Sequence, residues 1–465
     1  MTNQDLGVRV GDTDDWAPAH WQDVLEETTG WLQNLVRFDT SNPPGNERPA
    51  AQFLHDILVS EGIESEVAGP QPHRSSVLAR VPGDGSGGRP LLLVSHLDVV
   101  PATPAGWDVE PFSATLKDGF VWGRGAMDCK HRVATQAMML VLAKRRGLNL
   151  KRDLVLAACA DEETGGQHGM GWLAENRREE VDAEYVLGEG GGGEVPAPQG
   201  NYCAVATAEK GAFELTITLR APGGHSLRII PNGAMSRLGQ VLARLEEMRL
   251  SSTLTETVAL SIETLAPGQT APVQDALYAL LKDDTREGGM AALRRSSPGL
   301  AGWFEPSLYN SIVPTMVQGG ESEHAYPTEV KLHCNVRFLP GESIENVLDL
   351  IRARLDGIDD LEIGEVEESF FAWESSSDTA LFRAIRDLYE DLSPGTVVVP
   401  LLLGGATDVR FLRAPDRAVY GFFPSISMTP AGRNSGGHCT NERVALYSIN
   451  RALHILYELI TRLCL

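Results

Sequence analysis

Five short stretches of this chain place a metal-ligating or proton-carrying side chain directly after an apolar run or a glycine turn. The run Leu91–Val94 leads through Ser95 to His96, with Asp98 two residues on. In a strand, residues two apart face the same way, so His96 and Asp98 would point together. They would leave the strand where α/β folds gather their sites, and a carboxylate beside a metal-binding imidazole fixes the ring's tautomer. Asp128 follows the glycines at 123 and 125 and opens a helix. Its two oxygens could bridge two cations; a helix N-cap is the other ordinary use of an aspartate there. Leu154–Ala160 is an apolar run ending in Asp161, Glu162 and Glu163. Adjacent side chains at a strand end diverge, so one glutamate could ligate a metal while its neighbour takes a proton from water. The competing explanation is an acidic loop in an acidic protein. Glu189 lies just past another strand, and His438 sits in a loop before the last helix. Singly, each residue has a structural explanation. Together they put two imidazoles and at least three carboxylates at strand-end loops of one domain, a mixed donor set that suits zinc and related divalent ions.

The elements that must position these residues follow from hydrophobic periodicity. Helices are expected over about Trp16–Phe38, Arg48–Ser60, His131–Arg146, Gly233–Leu250, Ser343–Leu355, Asp378–Asp391 and Ala445–Cys464. Strands are expected at Ser76–Val81, Leu91–Val94, Leu154–Ala160, Ala183–Leu187, Phe213–Leu219, Val330–Phe338, Leu361–Glu368 and Thr396–Leu403. Buried strands alternating with helices imply an α/β layer. Phe213–Leu219 instead alternates apolar and polar residues, as a half-exposed antiparallel strand does. The expected architecture is an α/β catalytic domain with a mixed central sheet, residues 1–209 and 369–465, interrupted by an inserted α+β domain at 210–368. Residues 251–306, rich in Thr, Gly, Pro and Ser, read as irregular.

Composition sets outer limits. The balance of 40 basic against 63 acidic residues, a net charge of −23, argues against a nucleic-acid partner, which needs a cationic face. Hydrophobic residues at 42% and charged residues at 22% fit a soluble globular chain. Six cysteines without a CxxC pair or framework spacing read as free thiols, and hence as a cytoplasmic setting. The polar, acidic first residues do not resemble a signal peptide, and no apolar stretch is long enough to span a membrane.

With these residues in view, the chain resembles a dizinc exopeptidase and amidohydrolase family. That family includes acetylornithine deacetylase, succinyl-diaminopimelate desuccinylase, aminoacylase, carboxypeptidase G and the yeast vacuolar carboxypeptidase S. The motifs SHLDVVP, WGRGAMDCK, ADEETGG, APGGHS, NVRFLPGE, GGATDVR and GGHCTNE occur in the family's order, from about residue 25 to the end. The resemblance implies one zinc on His96 and Glu189, a second on Glu163 and His438, and Asp128 bridging both, with cobalt or manganese as other possible metals. It implies Glu162 as general base, Asp98 as the residue orienting His96, and a cis peptide between Asp128 and Cys129. On the inserted domain it implies that His225 and Asn310 stabilise the oxyanion and that Arg337 grips a substrate carboxylate facing the Gly404, Gly405 and Thr407 loop. Without the resemblance, His225 reads as a turn histidine and Arg337 as a solvated strand arginine. The inserted domain would act as a lid and could form a homodimer. Cys129, and Cys439-Thr440 after His438, depart from the commoner family residues, and 251–306 is longer than in compact bacterial deacetylases. The implied activity is hydrolysis of an N-acyl amino acid or short peptide with a free carboxylate. A dizinc aminopeptidase or dipeptidase is the alternative. An inactive binding protein would be marked by a missing ligand or base, and all six positions are filled.

Overall fold

The computed structural model describes residues 21–197, 200–246, 253–366, 369–426, 428–429, 432–433 and 436–465. Residues 16–20, 247–250 and 367–368 of the expected elements, and 434–435 of the His438 motif, lie outside them. The chain forms two compact units. One comprises residues up to Thr207 with Ser375–Leu401 and Thr407–Leu465; the other comprises Ala208–Glu374 with Leu402–Ala406. Residues 369–374 and 402–406, grouped by sequence with the catalytic part, therefore pack with the second unit.

In the first unit, helices α1 (Trp21–Arg37) and α2 (Arg48–Ser60) precede strands β1 (Glu64–Gln71), β2 (Arg74–Val81) and β3 (Leu91–His96). Helix α3 (His131–Arg145), strand β4 (Leu154–Cys159) and strand β5 (Tyr185–Gly188) follow. The sheet order is β1–β2–β4–β3–β5, then Ala418–Gly421 and Gly200–Glu209. β3 runs parallel to β4 and β5, whereas β1 and β2 are antiparallel neighbours, so the sheet is mixed. Every residue of β3, β4 and β5 is buried, as expected of strands covered on both faces. α1 is amphipathic and buries Val24, Leu32, Leu35 and Val36. α3 is buried almost all round, from His131 to Ala143 apart from Arg132, which marks it as a core helix rather than a surface one. It packs with α1 and with the C-terminal helix Leu446–Cys464. Each fully buried Leu, Val or Phe in this core contributes ~1.5–3 kcal/mol of transfer free energy.

The second unit is built on an antiparallel sheet of β6 (Gly211–Arg220), β7 (Ser311–Gly319), β8 (Glu329–Phe338) and β9 (Leu361–Ile363), in the order β7–β8–β6–β9. Along β8, Val330, Leu332, Cys334, Val336 and Phe338 face the core, which Ala234–Glu246 and Ile344–Leu355 complete. The alternate residues, Arg337 among them, are part-exposed. β7 is an edge strand, exposed from Val313 onward.

Residues 251–306 are not irregular where described. They hold the helices Glu256–Leu265, Ala271–Leu280 and Arg286–Ser296, and a fourth helix, Pro298–Leu308, begins there. Two of the prolines that read as breakers are helix starts: Pro272 and Pro298 occupy first-turn positions, where the missing N–H costs little, whereas Pro306 lies inside the helix Pro298–Leu308. The Thr255 hydroxyl caps the first of these helices by accepting from the Val258 N–H.

Candidate metal centre

β4, β3 and β5 lie side by side and parallel, and each carries acidic or imidazole side chains at or just beyond its C-terminal end. His96 is the last residue of β3, Glu162 and Glu163 begin a tight turn three residues beyond the end of β4, and Glu189 follows β5 directly. The turn is tied down from several directions. Asp161 adopts a left-handed backbone (φ +74°). Its carboxylate accepts from Arg74, the Thr164 hydroxyl and the His168 N–H. Asp98 accepts the Glu162 and Glu163 N–H groups at 3.1 and 3.0 Å and the Asn42 amide at 2.8 Å. Its carboxylate is 3.5 Å from His96 Nδ1, while its backbone oxygen is nearer, at 3.0 Å. Asp98 thus positions the Glu162–Glu163 turn as directly as it positions the ring of His96.

Asp128 arrives from a different direction, on the turn Ala126–Lys130 that leads into α3. Its peptide bond to Cys129 is cis. Glu442, fully buried, accepts the Met127 and Asp128 N–H groups with one oxygen, at 2.8 and 2.9 Å. Its other oxygen accepts from Arg124 at 2.5 Å. The two oxygens of Asp128 face different imidazoles: Oδ1 is 3.2 Å from His96 Nε2, and Oδ2 is 3.5 Å from His438 Nε2. His96 Nε2 is also 3.6 Å from Glu189 Oε2, and His438 Nε2 is 3.0 Å from Glu163 Oε2. The His438 loop can come this close because residue 437 is glycine; a Cβ there would lie 2.5 Å from Asp128 Oδ2.

Two donor groups result, His96–Asp128–Glu189 with Cys129 nearby, and Asp128–Glu163–His438. They fit divalent cations on physical grounds. Burial and the neighbouring Glu189 push Glu162 well above the usual carboxylate range. Burial and Asp128 push Glu163 up to about 7, against the pull of His96. Burial alone would raise Asp128 and Glu189 too, but the imidazole of His96 holds both low. Glu163 Oε1 is buried without a hydrogen-bond partner among the described residues. Buried negative charge in this excess calls for a counter-cation. His96, Glu162 and Glu189 line a small cavity of about 10 Å³ together with Ser95 and Asp408.

Within the second unit, Arg337 donates to the Asn335 side chain at 2.9 Å and toward the Gly404 carbonyl at 3.4 Å. A Cβ on Gly404 or Gly405 would meet nothing within 4 Å. The buried Asn310 side chain accepts the Leu339 N–H at 2.7 Å. His225 is exposed on a two-residue strand paired with Ala325–Tyr326. Thr407 belongs to the first unit, where its carbonyl accepts from Arg410 at 2.7 Å. The sequence reading gave no role to Asn42, Arg74, Arg132, Asp408 or Glu442. Glu442 stands inside a recognised motif, Asp408 directly follows Thr407, and Arg132 is a basic residue in the first turn of a helix; nothing local distinguishes Asn42 or Arg74.

Residues 92–462 match a family model described as peptidase family M20/M25/M40. The N-fatty-acyl-amino acid synthase/hydrolase PM20D1.1 of Danio rerio is 25% identical over 433 residues, covering 87% of this chain and 77% of that protein. The crystal structure of an M20 family metallo-carboxypeptidase from Sulfolobus solfataricus aligns with a TM-score of 0.69 at 16% identity, covering 94% of this chain and 99% of that one. The YXEP protein of Bacillus subtilis, described as a dinuclear metal binding peptidase, aligns with a TM-score of 0.62 at 13% identity, covering 94% and 98%. These structural likenesses show a shared fold.

Proposed function

Because the chain belongs to peptidase family M20/M25/M40 and is a metal-dependent hydrolase, we propose that it cleaves the amide bond of an N-acyl amino acid or short peptide bearing a free carboxylate. The observation that carries this is Asp128, whose two oxygens face two separate imidazole–carboxylate pairs. In this proposal His96 and Glu189 hold one zinc, Glu163 and His438 the other, and Asp128 both. Bound there, two divalent cations would supply an acidified water and polarise a carbonyl.

The remaining chemistry belongs to side chains of the chain itself. Glu162 takes the proton of the attacking water and returns it to the leaving nitrogen. Burial and Glu189 raise its proton affinity above that of an ordinary carboxylate, the direction that favours a group accepting a proton. Asp98, by holding the Glu162 and Glu163 N–H groups, keeps base and ligand in fixed relation. Arg337 supplies the planar donor pair that a carboxylate takes, near the Gly404 carbonyl; Gly405 and Thr407 are assigned to the same carboxylate. His225 and Asn310 are assigned to the developing oxyanion. The name of the Danio rerio relative supports an N-acyl amino acid as substrate. The exposed edge strand β7, with Val313, Met316 and Val317 exposed, is the surface proposed for a homodimer; light scattering tests it.

The test is a hydrolysis screen of N-acyl amino acids and dipeptides with added zinc or cobalt. Glu162→Gln should lower turnover by ~10²–10⁴-fold with metal content unchanged. Full turnover in that variant would refute the assignment. Cleavage only of peptides with a free N-terminal amine, and of no N-acylated substrate, would move the assignment to the aminopeptidase or dipeptidase alternative.

A further inference from the structure

Arg132 is the second residue of α3 and partly buried, with 16% of its side chain exposed. A basic residue in the first turn opposes the helix dipole, so its place there needs another reason. Its Nη1 donates to Glu189 Oε2 at 2.8 Å, and its guanidinium lies 5.7 Å from the centroid of the Phe423 ring. That same Glu189 oxygen is the one facing His96 Nε2 at 3.6 Å. The guanidinium therefore occupies part of the electron density that one donor group would offer a cation, and it places a positive charge beside that group. Asp128, common to both groups, also feels the Arg132 charge, but Glu163 of the other group does not have it among its strongest influences. Among the described residues Glu163 pairs with His438 alone, and the charges acting on it most are those of His96, Asp128, His438 and Asp98.

We propose that Arg132 makes the two cation positions unequal. It fixes the Glu189 carboxylate, and its charge lowers the affinity of the His96–Asp128–Glu189 position, which fills second and empties first. Arg132 is a positioning residue, and the inference rests on the two-cation function proposed above. Repulsion between a guanidinium and a divalent ion is strong in a partly buried site and falls with distance, so the effect is larger at the position that Glu189 serves, although Arg132 also acts on the shared Asp128.

The experiment strips the full-length protein with a chelator and titrates zinc against a chromophoric competitor, giving two stepwise affinities without reference to activity. The wild-type protein should bind two equivalents with unequal affinity. Arg132→Gln keeps an N–H donor for Glu189 but removes the charge. It should tighten the second equivalent by roughly tenfold or more and leave the first within about threefold, which also reports that the variant is folded. Arg132→Lys keeps the charge and should keep the gap. Equal affinities in the wild-type protein, or a second equivalent left unchanged or weakened by Arg132→Gln, would overturn the inference alone. Failure of the wild-type protein to bind any zinc would overturn the proposed function and this inference with it.

Discussion

The pair Arg124–Glu442 offers a quantitative test of how Asp128 is held. Glu442 is fully inaccessible and Arg124 is 5% exposed, at an N–O distance of 2.5 Å. Glu442→Gln leaves a side-chain oxygen for the Met127 and Asp128 N–H groups but sets an amide NH₂ against a buried guanidinium. Removing one partner of a buried pair costs ~3–5 kcal/mol, because the other charge is stranded. Arg124 keeps a hydrogen bond to the Cys439 carbonyl at 3.3 Å and a contact with the Trp107 ring at 5.4 Å, which favours the lower end, ~3 kcal/mol. Arg124→Met strands the Glu442 carboxylate, which retains its two N–H donors, for a similar ~3 kcal/mol. The double variant strands neither charge and still holds both N–H groups. It should cost at least ~2 kcal/mol less than the sum of the single changes. The assay is urea unfolding followed by tryptophan fluorescence, with hydrogen exchange across residues 124–130 as the local readout. Additivity within ~0.5 kcal/mol would refute the stranded-charge reasoning.

Three further outcomes follow from the same geometry. Glu47, fully buried beside Arg74, has its carboxyl pushed from 4.5 up to about 7, by burial first and then by Asp98. The folded state therefore holds a proton that the unfolded state has lost, so stability falls as pH rises from about 4.5 to about 7 and then levels; Glu47→Gln should remove ~3 kcal/mol of that fall, and parallel pH profiles of the two proteins in urea unfolding would contradict this. Gly437→Ala places a methyl where only 2.5 Å separates it from Asp128 Oδ2, and zinc affinity at the His438 position should drop ~10–100-fold in a competition titration. Thr255→Ala removes the hydroxyl that accepts the Val258 N–H and should destabilise the second unit by ~1 kcal/mol in denaturant titration, with no change in zinc binding.

The residues proposed as metal ligands on β3, β4 and β5 stood out in the sequence because each follows a local pattern. A run of apolar residues long enough for one buried strand, ending in His or Glu, gives both the strand and the end at which the side chain emerges, as at Leu91–His96 and Leu154–Glu163. Parallel pairing of β3 with β4 and β5 then makes the three ends neighbours without further information. The residues that hold those ends are of another kind. Asn42 reaches Asp98 across 56 positions, Arg74 reaches Asp161 across 87, and Glu442 reaches Asp128 across 314. Neither the loop residue Asn42 nor Arg74 at the start of β2 has a periodicity to betray a partner that distant, because its environment is made only once the sheet has formed. The helices after Thr255 were hidden by the opposite problem. Their local signals were present, but Pro272 and Pro298 signal a helix start and a helix stop with the same residue, and only the burial of Val258, Ile262, Leu277 and Leu293 decides which. Arg132 combines both difficulties: its position in the first turn of α3 is readable and electrostatically wrong for a helix, and the carboxylate that explains it lies 57 residues away at the end of β5. A charge that local rules disfavour marks a tertiary partner, and here that partner is a donor of the proposed metal site.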